Sequence, residues 1–346
     1  MRLVSVLVGI VCALNEASQV SARECVYPGT CTPPVRKFAR VSPLIPRHQW
    51  IDDGGYCGSL SIQAIALTYG TWISQTIVRQ SAVDGGGHGN PDEGYEILHT
   101  NIGGALETLG FEFETFQSDT IPQSPAYLEW LKKKLVEGYP VIWFVMCKGD
   151  SHDCYGLPNA TYDHIEPVFG IFTDNLTTLL PNDVLVHGSD YAPDGAANLG
   201  YFRQFDTLVD TTAMDGNCSR AIPILGKNEM YPCLEYNYSY GVAITGAQGP
   251  SLPITLQVAN ITEPDVIEGA SPASMKATVT VRDVQLGKPY VLYRFDNRLV
   301  PTNTADYAAV ANKTLAFIPS NSTFVFEDAI ISDAMVAYRA TESSSG

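Results

Sequence analysis

The stretch that decides the fold is a nearly uninterrupted apolar segment, YCGSLSIQAIALTYG at residues 56–70. Its apolar side chains fall on every side of a helix, so the pattern predicts a helix over 58–69 that is buried all round. Gly70 is expected to end that helix. Cys57 stands immediately before it, so the segment predicts a cysteine at the start of a core helix.

Two further helices are expected after this segment. A stripe of apolar residues predicts one over Gly94–Leu109. Ser124 and Pro125 suit the cap and first position of the other, which ends at Gly138. Helices followed by antiparallel strands predict an α+β domain. The strands are expected at Val141–Met146, Glu166–Phe172, Asp183–His187, Tyr201–Leu208 and Tyr238–Thr245.

The pattern of the sequence changes at residues 246–250, GAQGP, where short alternating apolar runs begin. Six such runs separated by turn residues predict a small β-sandwich. They lie at Ile254–Val258, Ala277–Val281, Tyr290–Phe295, Thr314–Ile318, Thr323–Phe326 and Met335–Tyr338. The expected organisation is a signal peptide at 1–22, an α+β domain at 23–249, a β-sandwich accessory domain at 250–341 and a flexible tail at 342–346.

The first 22 residues have the composition of a secretory signal, with Arg2, the apolar run Leu3–Leu14 and a small-residue cleavage site at Val20-Ser21-Ala22. That run is shorter than the roughly 20 apolar residues that cross a bilayer. We therefore expect a soluble protein exported to the extracellular space or to a secretory compartment such as a vacuole.

Glycosylation signals agree with export, because chance would give only about two of them. Seven Asn-X-Ser/Thr triplets begin at Asn159, Asn175, Asn217, Asn237, Asn260, Asn312 and Asn321. The net charge of −16 argues against nucleic acid and anionic membranes as partners. No phosphate-cradling loop and no zinc-type spacing occurs, so no cofactor or metal is expected. The oligomeric state is not predicted.

Most of the cysteines lie close in sequence to one other cysteine, and Cys57 does not. Of the eight, Cys12 falls in the signal segment and Cys57 has no neighbour in sequence. The other six are expected to form the disulfides Cys25 with Cys31, Cys147 with Cys154, and Cys218 with Cys233. An odd cysteine in a secreted protein is either an intermolecular bridge or a reactive thiol.

The position of Cys57 favours the reactive thiol, because the amides and dipole of a helix start stabilise a thiolate. Thiol catalysis also needs an imidazole that accepts and returns the proton. His164, before an apolar strand, is the candidate base. Its orienting partner is expected after the next strand, at Asp190, with His187 and Asn182 as alternatives.

Gln49, eight residues before Cys57, together with the YCGSLS start of the helix, resembles papain-like-fold cysteine peptidases. The chain looks most like stand-alone relatives of the bacteriocin-processing (double-glycine) peptidases, over roughly residues 43–245. The resemblance implies a papain-like fold, with helices packed on an antiparallel sheet. It also implies Gln49 as oxyanion donor, Cys57 as nucleophile, His164 as base and Asp190 as its orienter.

The expected function is a secreted cysteine endopeptidase that acts on a peptide or protein substrate through an acyl-thioester on Cys57. Two alternatives remain open at the level of sequence. A transpeptidase or amide transferase would form the same thioester and pass it to an amine. A non-catalytic extracellular binding protein would keep the papain-like scaffold without the chemistry.

Overall fold

The computed structural model describes residues 32–43, 47, 55–82, 89–90, 94–116, 126–148, 161–188, 200–204, 240–259 and 272–343. Within these ranges no helix is long and apolar enough to cross a membrane. The α-helices of the described chain are α1 (Cys57–Thr68), α2 (Gln75–Ser81), α3 (Ile102–Thr108), α4 (Ala126–Glu137) and α5 (Tyr307–Val310).

The strands pair antiparallel throughout the described chain, which confirms the expected α+β class. They are β1 (Phe38–Val41), β2 (Thr71–Ile73), β3 (Gly89–Asn90), β4 (Gly94–Tyr95), β5 (Phe111–Thr115), β6 (Val141–Lys148), β7 (Thr161–Thr173), β8 (Val184–Gly188), β9 (Gly200–Gln204), β10 (Tyr240–Ala247), β11 (Ile254–Ala259), β12 (Ser274–Arg282), β13 (Tyr290–Asp296), β14 (Lys313–Phe317), β15 (Thr323–Ile331) and β16 (Met335–Glu342).

Seven of these strands make the large sheet, in the order β5-β10-β6-β7-β8-β9, with β1 paired to the last part of β7. The C-terminal strands form a three-stranded sheet, β11-β12-β15, and most of a four-stranded sheet, β14-β13-β16-β2. Strands β3 and β4 form a separate pair. The fourth strand of the second C-terminal sheet, β2, comes from the N-terminal half, directly after α1.

Helix α1 is buried on every side, as its composition predicts. Its polar side chains find partners nearby: Ser61 Oγ donates to the Cys57 carbonyl over 2.8 Å, and Gln63 Nε2 donates to the Ile73 carbonyl over 2.8 Å. Gly70 follows the helix with φ +67°, where a Cβ would lie 2.6 Å from Cγ2 of Ile254. Both the backbone and the space therefore require glycine there.

The large sheet is covered on both faces. Phe144 and Ile165 lie in the apolar cluster that includes residues of α1, whereas Trp143 and Val168 lie in the cluster that includes residues of α4. Successive residues of a strand point to opposite faces. The two faces of the sheet therefore pack on different helices, α1 on one side and α4 on the other.

The C-terminal sheets share a core with the helix that carries Cys57. Trp72 of β2 and Leu67 of α1 are fully buried in the apolar cluster of those sheets. Arg339 of β16 donates to the Tyr69 carbonyl over 3.2 Å and to the Gln248 carbonyl over 3.0 Å. The far end of α1 is thus held by residues that follow position 249.

Asp328 of β15 joins the two C-terminal sheets. Its carboxylate accepts hydrogen bonds from Arg294 and Tyr338 at 3.0 Å each and from Lys313 at 3.1 Å. Burial by itself would raise the pKa of Asp328, but hydrogen bonds from Lys313, Arg294 and the Ala329 amide lower that pKa below its ordinary value. The ionised carboxylate therefore stabilises the folded state.

Most of the expected elements are present. The helix predicted over 58–69 is α1, and the helix predicted to end at Gly138 is α4. All six predicted C-terminal strands occur, from β11 to β16, and the strands predicted from Val141 onward are β6 to β10. Residues 124–125, 205–208 and 238–239, which belonged to predicted elements, lie outside the described ranges.

The helix predicted over Gly94–Leu109 is wrong in its first half, because α3 begins only at Ile102. The preceding turn, residues 96–101, is closed by Asn101. Its Oδ1 accepts from the Leu98 amide over 2.7 Å, and its Nδ2 donates to the Glu96 carbonyl over 2.8 Å. Asparagine side chains that bond to nearby backbone compete with helix in this way.

Candidate active site around Cys57

Cys57 is the first residue of α1, and its thiol is buried, with 7% of the residue exposed. The carbonyl of the preceding residue, Tyr56, accepts the first helical hydrogen bond from Leu60 over 2.8 Å. The positive end of the helix dipole favours a thiolate, whereas burial favours the neutral thiol. The reactivity of Cys57 therefore depends on the charges placed around this helix start.

The first turn of α1 packs on the start of β7. Gly58 permits the close approach, since a Cβ there would lie 3.1 Å from Cδ1 of Ile165 and 2.6 Å from Cβ of Ile97. His164, the predicted base, is the residue before Ile165 in β7, where its backbone pairs with β6. Its side chain lies outside what the structure describes. The fold thus brings the backbone of His164 close to the helix start that carries Cys57.

Asn182, one of the alternatives for orienting His164, lies at the wrong end of the large sheet. It precedes β8, whose first residue, Val184, pairs with Phe172. Phe172 lies eight residue steps along β7 from His164 (172 − 164 = 8), which is about 26 Å at 3.3 Å per step. An exposed Asn182 that far from the backbone of His164 is not placed to orient it.

His187, the other alternative, contacts a carboxylate on the face of the sheet that packs on α4. Its Nδ1 lies 3.1 Å from Oε2 of Glu166, and both side chains are fully buried. The His187 ring centre is 5.0 Å from that of Trp143, which belongs to the cluster packed on α4. The sequence interpretation did not identify Glu166. The feature that could have pointed to Glu166 is that it is the one charged residue in the strand segment IEPVFGIF at 165–172.

Asp190 lies outside the described residues, but the path of β8 leads towards His164. Strand β8 ends at Gly188, where a Cβ would lie 2.9 Å from Cγ of Pro167, which follows His164 by three residues in β7. Gly188 is two residues before Asp190. The chain therefore leaves β8 at the end of the sheet where His164 lies.

Several other predicted sites fall outside the described residues. They are Gln49, the cysteines Cys25, Cys31, Cys154, Cys218 and Cys233, and the glycosylation positions Asn159, Asn217, Asn237 and Asn260. Of Cys147, only the backbone is described, within β6. Three glycosylation positions are described: Asn175 is partly exposed, and Asn312 and Asn321 are exposed. Each of these three is therefore accessible to some degree.

Two buried charged side chains pack on the residues that precede Cys57. The carboxyl group of Glu96 occupies the space beside Gly55, where a Cβ would lie 2.7 Å from its Cδ. The guanidinium of Arg79, from α2, lies over the Tyr56 ring with Cζ 4.2 Å from the ring centre. Glu96 is 3% exposed and Arg79 is 2% exposed. No local pattern predicts this arrangement, because it joins three separate segments of the chain.

His99 belongs to the same turn as Glu96 but approaches another strand. Its ring centre lies 6.0 Å from that of Tyr240, which in turn lies 4.9 Å from Phe144. Burial lowers the pKa of His99 below its ordinary value, which favours the neutral imidazole. Phe144 pairs with Ile165, so Tyr240 is two strand spacings from β7, about 10 Å. This placement agrees with a packing role for His99.

Within the described ranges, no group of three or more His, Cys, Asp or Glu side chains is arranged to hold a metal ion. The chain matches no model of a known protein family, no curated protein and no solved structure. The function of the chain is therefore inferred from its own residues and their geometry.

Proposed function

We propose that the chain is a thiol-dependent hydrolase, a cysteine endopeptidase with a papain-like catalytic part. The observation that carries the proposal is the close packing of Gly58 on Ile165. A Cβ added at Gly58 would lie 3.1 Å from Cδ1 of Ile165. This packing brings the helix start with Cys57 beside the strand position of His164. A cysteine at a helix start next to a histidine at the start of an antiparallel strand is the arrangement that the papain-like resemblance implies.

In the proposed reaction, His164 takes the proton of Cys57, and the sulfur attacks a peptide carbonyl carbon. The tetrahedral intermediate collapses as His164 returns that proton to the departing amine, which leaves an acyl-thioester on Cys57. Water then loses a proton to His164 and attacks the thioester carbonyl. The carboxylic product leaves, and the sulfur regains its proton from His164.

Two supporting roles complete the proposed site. Asp190 orients the His164 ring, since β8 leads its chain to the correct end of the sheet while Asn182 lies at the other end and His187 contacts Glu166. Gln49 supplies an amide donor for the oxyanion of the tetrahedral intermediate. Both roles follow from the resemblance. They require Gln49 to reach the start of α1 and Asp190 to reach His164.

The setting of the proposed enzyme is the secretory route or the extracellular space. The signal-like residues 1–22, the seven glycosylation triplets and the three near-neighbour cysteine pairs support this setting. A strongly acidic chain suits peptide or protein substrates better than nucleic acid. The two C-terminal sheets, which share one apolar cluster, are proposed to form a β-sandwich that supports the catalytic part.

A second candidate is a binding protein that keeps this scaffold without catalysis. The observation that favours it is the burial of Cys57, which is 7% exposed and packed among apolar side chains. A buried cysteine often serves as a small apolar residue. This candidate differs from the first in one measurable property, since it requires a Cys57 thiol that does not react while the protein is folded.

The proposal is tested with Cys57→Ala and Cys57→Ser on the secreted, disulfide-intact protein, using a mixed peptide library as substrate and mass spectrometry of the products. We expect wild type to release carboxylic products and both variants to lose turnover while melting within about 2 °C of wild type. Products extended by an added amine would indicate the transferase instead. Undiminished hydrolysis by Cys57→Ala would contradict the assignment.

A further inference from the structure

We propose that Arg79 and Glu96 act together as positioning residues that control when the thiol of Cys57 ionises. This inference rests on the proposed role of Cys57 as the nucleophile. It deepens that role by assigning the pH response of the site to two buried charges of opposite sign. Neither residue needs to touch the substrate, because each acts through the residues that enter α1.

Glu96 places a carboxylate beside the start of α1. A Cβ on Gly55 would lie 2.8 Å from Oε1 of Glu96, and Gly55 is two residues before Cys57. Gly55 has φ +70°, a conformation that favours glycine, so this close approach is built into the backbone. A buried carboxylate near the thiol opposes a second negative charge there. Ionised Glu96 therefore makes the thiolate of Cys57 harder to form.

Arg79 has the opposite effect. Its guanidinium lies on the ring of Tyr56, the residue next to Cys57, at 4.2 Å from Cζ to the ring centre. A nearby cation favours the charged form of an acid. Arg79 therefore makes the thiolate of Cys57 easier to form.

The two charges belong to one packed unit. A Cβ at Gly94 would lie 2.4 Å from the carbonyl carbon of Arg79, so the backbone before Glu96 rests directly on the end of α2. The Asn101 side chain then fixes the turn that carries Glu96. The two side chains thereby pack on consecutive residues, Glu96 on Gly55 and Arg79 on Tyr56.

Other charged groups of the surrounding elements are placed elsewhere. Glu166 of β7 contacts His187 of β8 on the face turned towards α4. Arg47 lies over the Trp72 ring of β2 at 4.6 Å. Arg339 of β16 donates to the Tyr69 carbonyl, at the far end of α1.

His99, in the turn before α3, lies beside Tyr240 of β10. Glu96 and Arg79 are the charged side chains whose described contacts are with Gly55 and Tyr56, respectively.

The consequence is a nucleophile whose ionisation is set by two opposing charges. Ionised Glu96 raises the pH at which the thiolate forms, whereas the guanidinium of Arg79 lowers it. The balance of the two side chains therefore fixes the pH at which Cys57 becomes reactive.

The test is the rate of Cys57 alkylation by iodoacetamide as a function of pH, followed by mass spectrometry on the folded secreted protein. We expect Glu96→Gln to move the midpoint down by about one pH unit, which is about tenfold in rate at a fixed pH below the midpoint. Arg79→Met is expected to move the midpoint up by a similar amount, and Arg79→Lys, which keeps the charge, to leave it close to wild type.

The matched control is Asp328→Asn, which removes a carboxylate in the C-terminal sheets and lowers stability without moving the midpoint. Glu96→Gln preserves the shape of the side chain, so its midpoint tests the inference even if Arg79→Met does not fold. A reactive wild-type Cys57 whose midpoint is unchanged in Glu96→Gln overturns the inference and leaves the proposed nucleophile intact. A folded wild type whose Cys57 is not alkylated at any pH overturns both.

Discussion

A methyl group added at Gly58 tests the contact that brings α1 to β7. A Cβ there would lie 2.6 Å from Cβ of Ile97 and 3.1 Å from Cδ1 of Ile165, so Gly58→Ala forces the helix start away from both. Overpacking of this kind costs about 1–3 kcal/mol. The greater helix propensity of alanine recovers up to about 1 kcal/mol. We expect a net loss of about 1 kcal/mol in the free energy of unfolding, together with slower alkylation of Cys57.

Gly104→Ala in α3 is the matched control, because a Cβ at that position meets nothing within 4 Å. It should raise the free energy of unfolding by up to about 1 kcal/mol through propensity alone. The two variants are compared by urea denaturation followed by circular dichroism, with the disulfides intact. Gly58→Ala at least as stable as Gly104→Ala would refute the reasoning, since the Gly58 contact would then impose no constraint.

Two further predictions concern the C-terminal sheets. Trp72→Ala should lower the free energy of unfolding by about 3–5 kcal/mol, because this fully buried side chain from the N-terminal half fills the core of the C-terminal sheets. Chemical denaturation measures the loss. A loss below about 1 kcal/mol would mean that the two halves of the chain fold independently. Asp328→Asn should lower stability at neutral pH but not in strong acid. The folded-state pKa of Asp328 is lowered, so its contribution is full above the ordinary pKa of 3.8 and is lost as the pH falls through the folded-state value. This prediction would be contradicted if the difference in the free energy of unfolding between wild type and Asp328→Asn stayed constant from neutral pH down to about pH 2.

The elements that could be predicted from the sequence are those in which local pattern and tertiary structure agree. Helix α1 follows from residues that are apolar on every side, and the C-terminal strands follow from alternation between turn residues. The start of α1 at Cys57 could be predicted for the same reason.

The remaining features depend on contacts that no local pattern encodes. Residues 94–101 carry apolar residues at helical spacing, yet Asn101 closes them into a turn. Glu166 and His187 meet only because β7 and β8 pair in one register. Likewise, β2 joins the C-terminal sheet across more than 250 residues of chain, from Ile73 to Met335 (335 − 73 = 262). Such pairings are set by the packing of whole sheets.

The central claim is that Cys57 is a reactive thiol, and the most direct measurement is thiol mapping on the native secreted protein. The folded protein is treated with iodoacetamide at about pH 6, well below the ordinary cysteine pKa of about 8.5, and the labelled peptides are identified by mass spectrometry. We expect label on Cys57, faster by at least about tenfold than on a denatured sample at the same pH. Label that reaches Cys57 only after unfolding would contradict the proposed function and favour a binding protein.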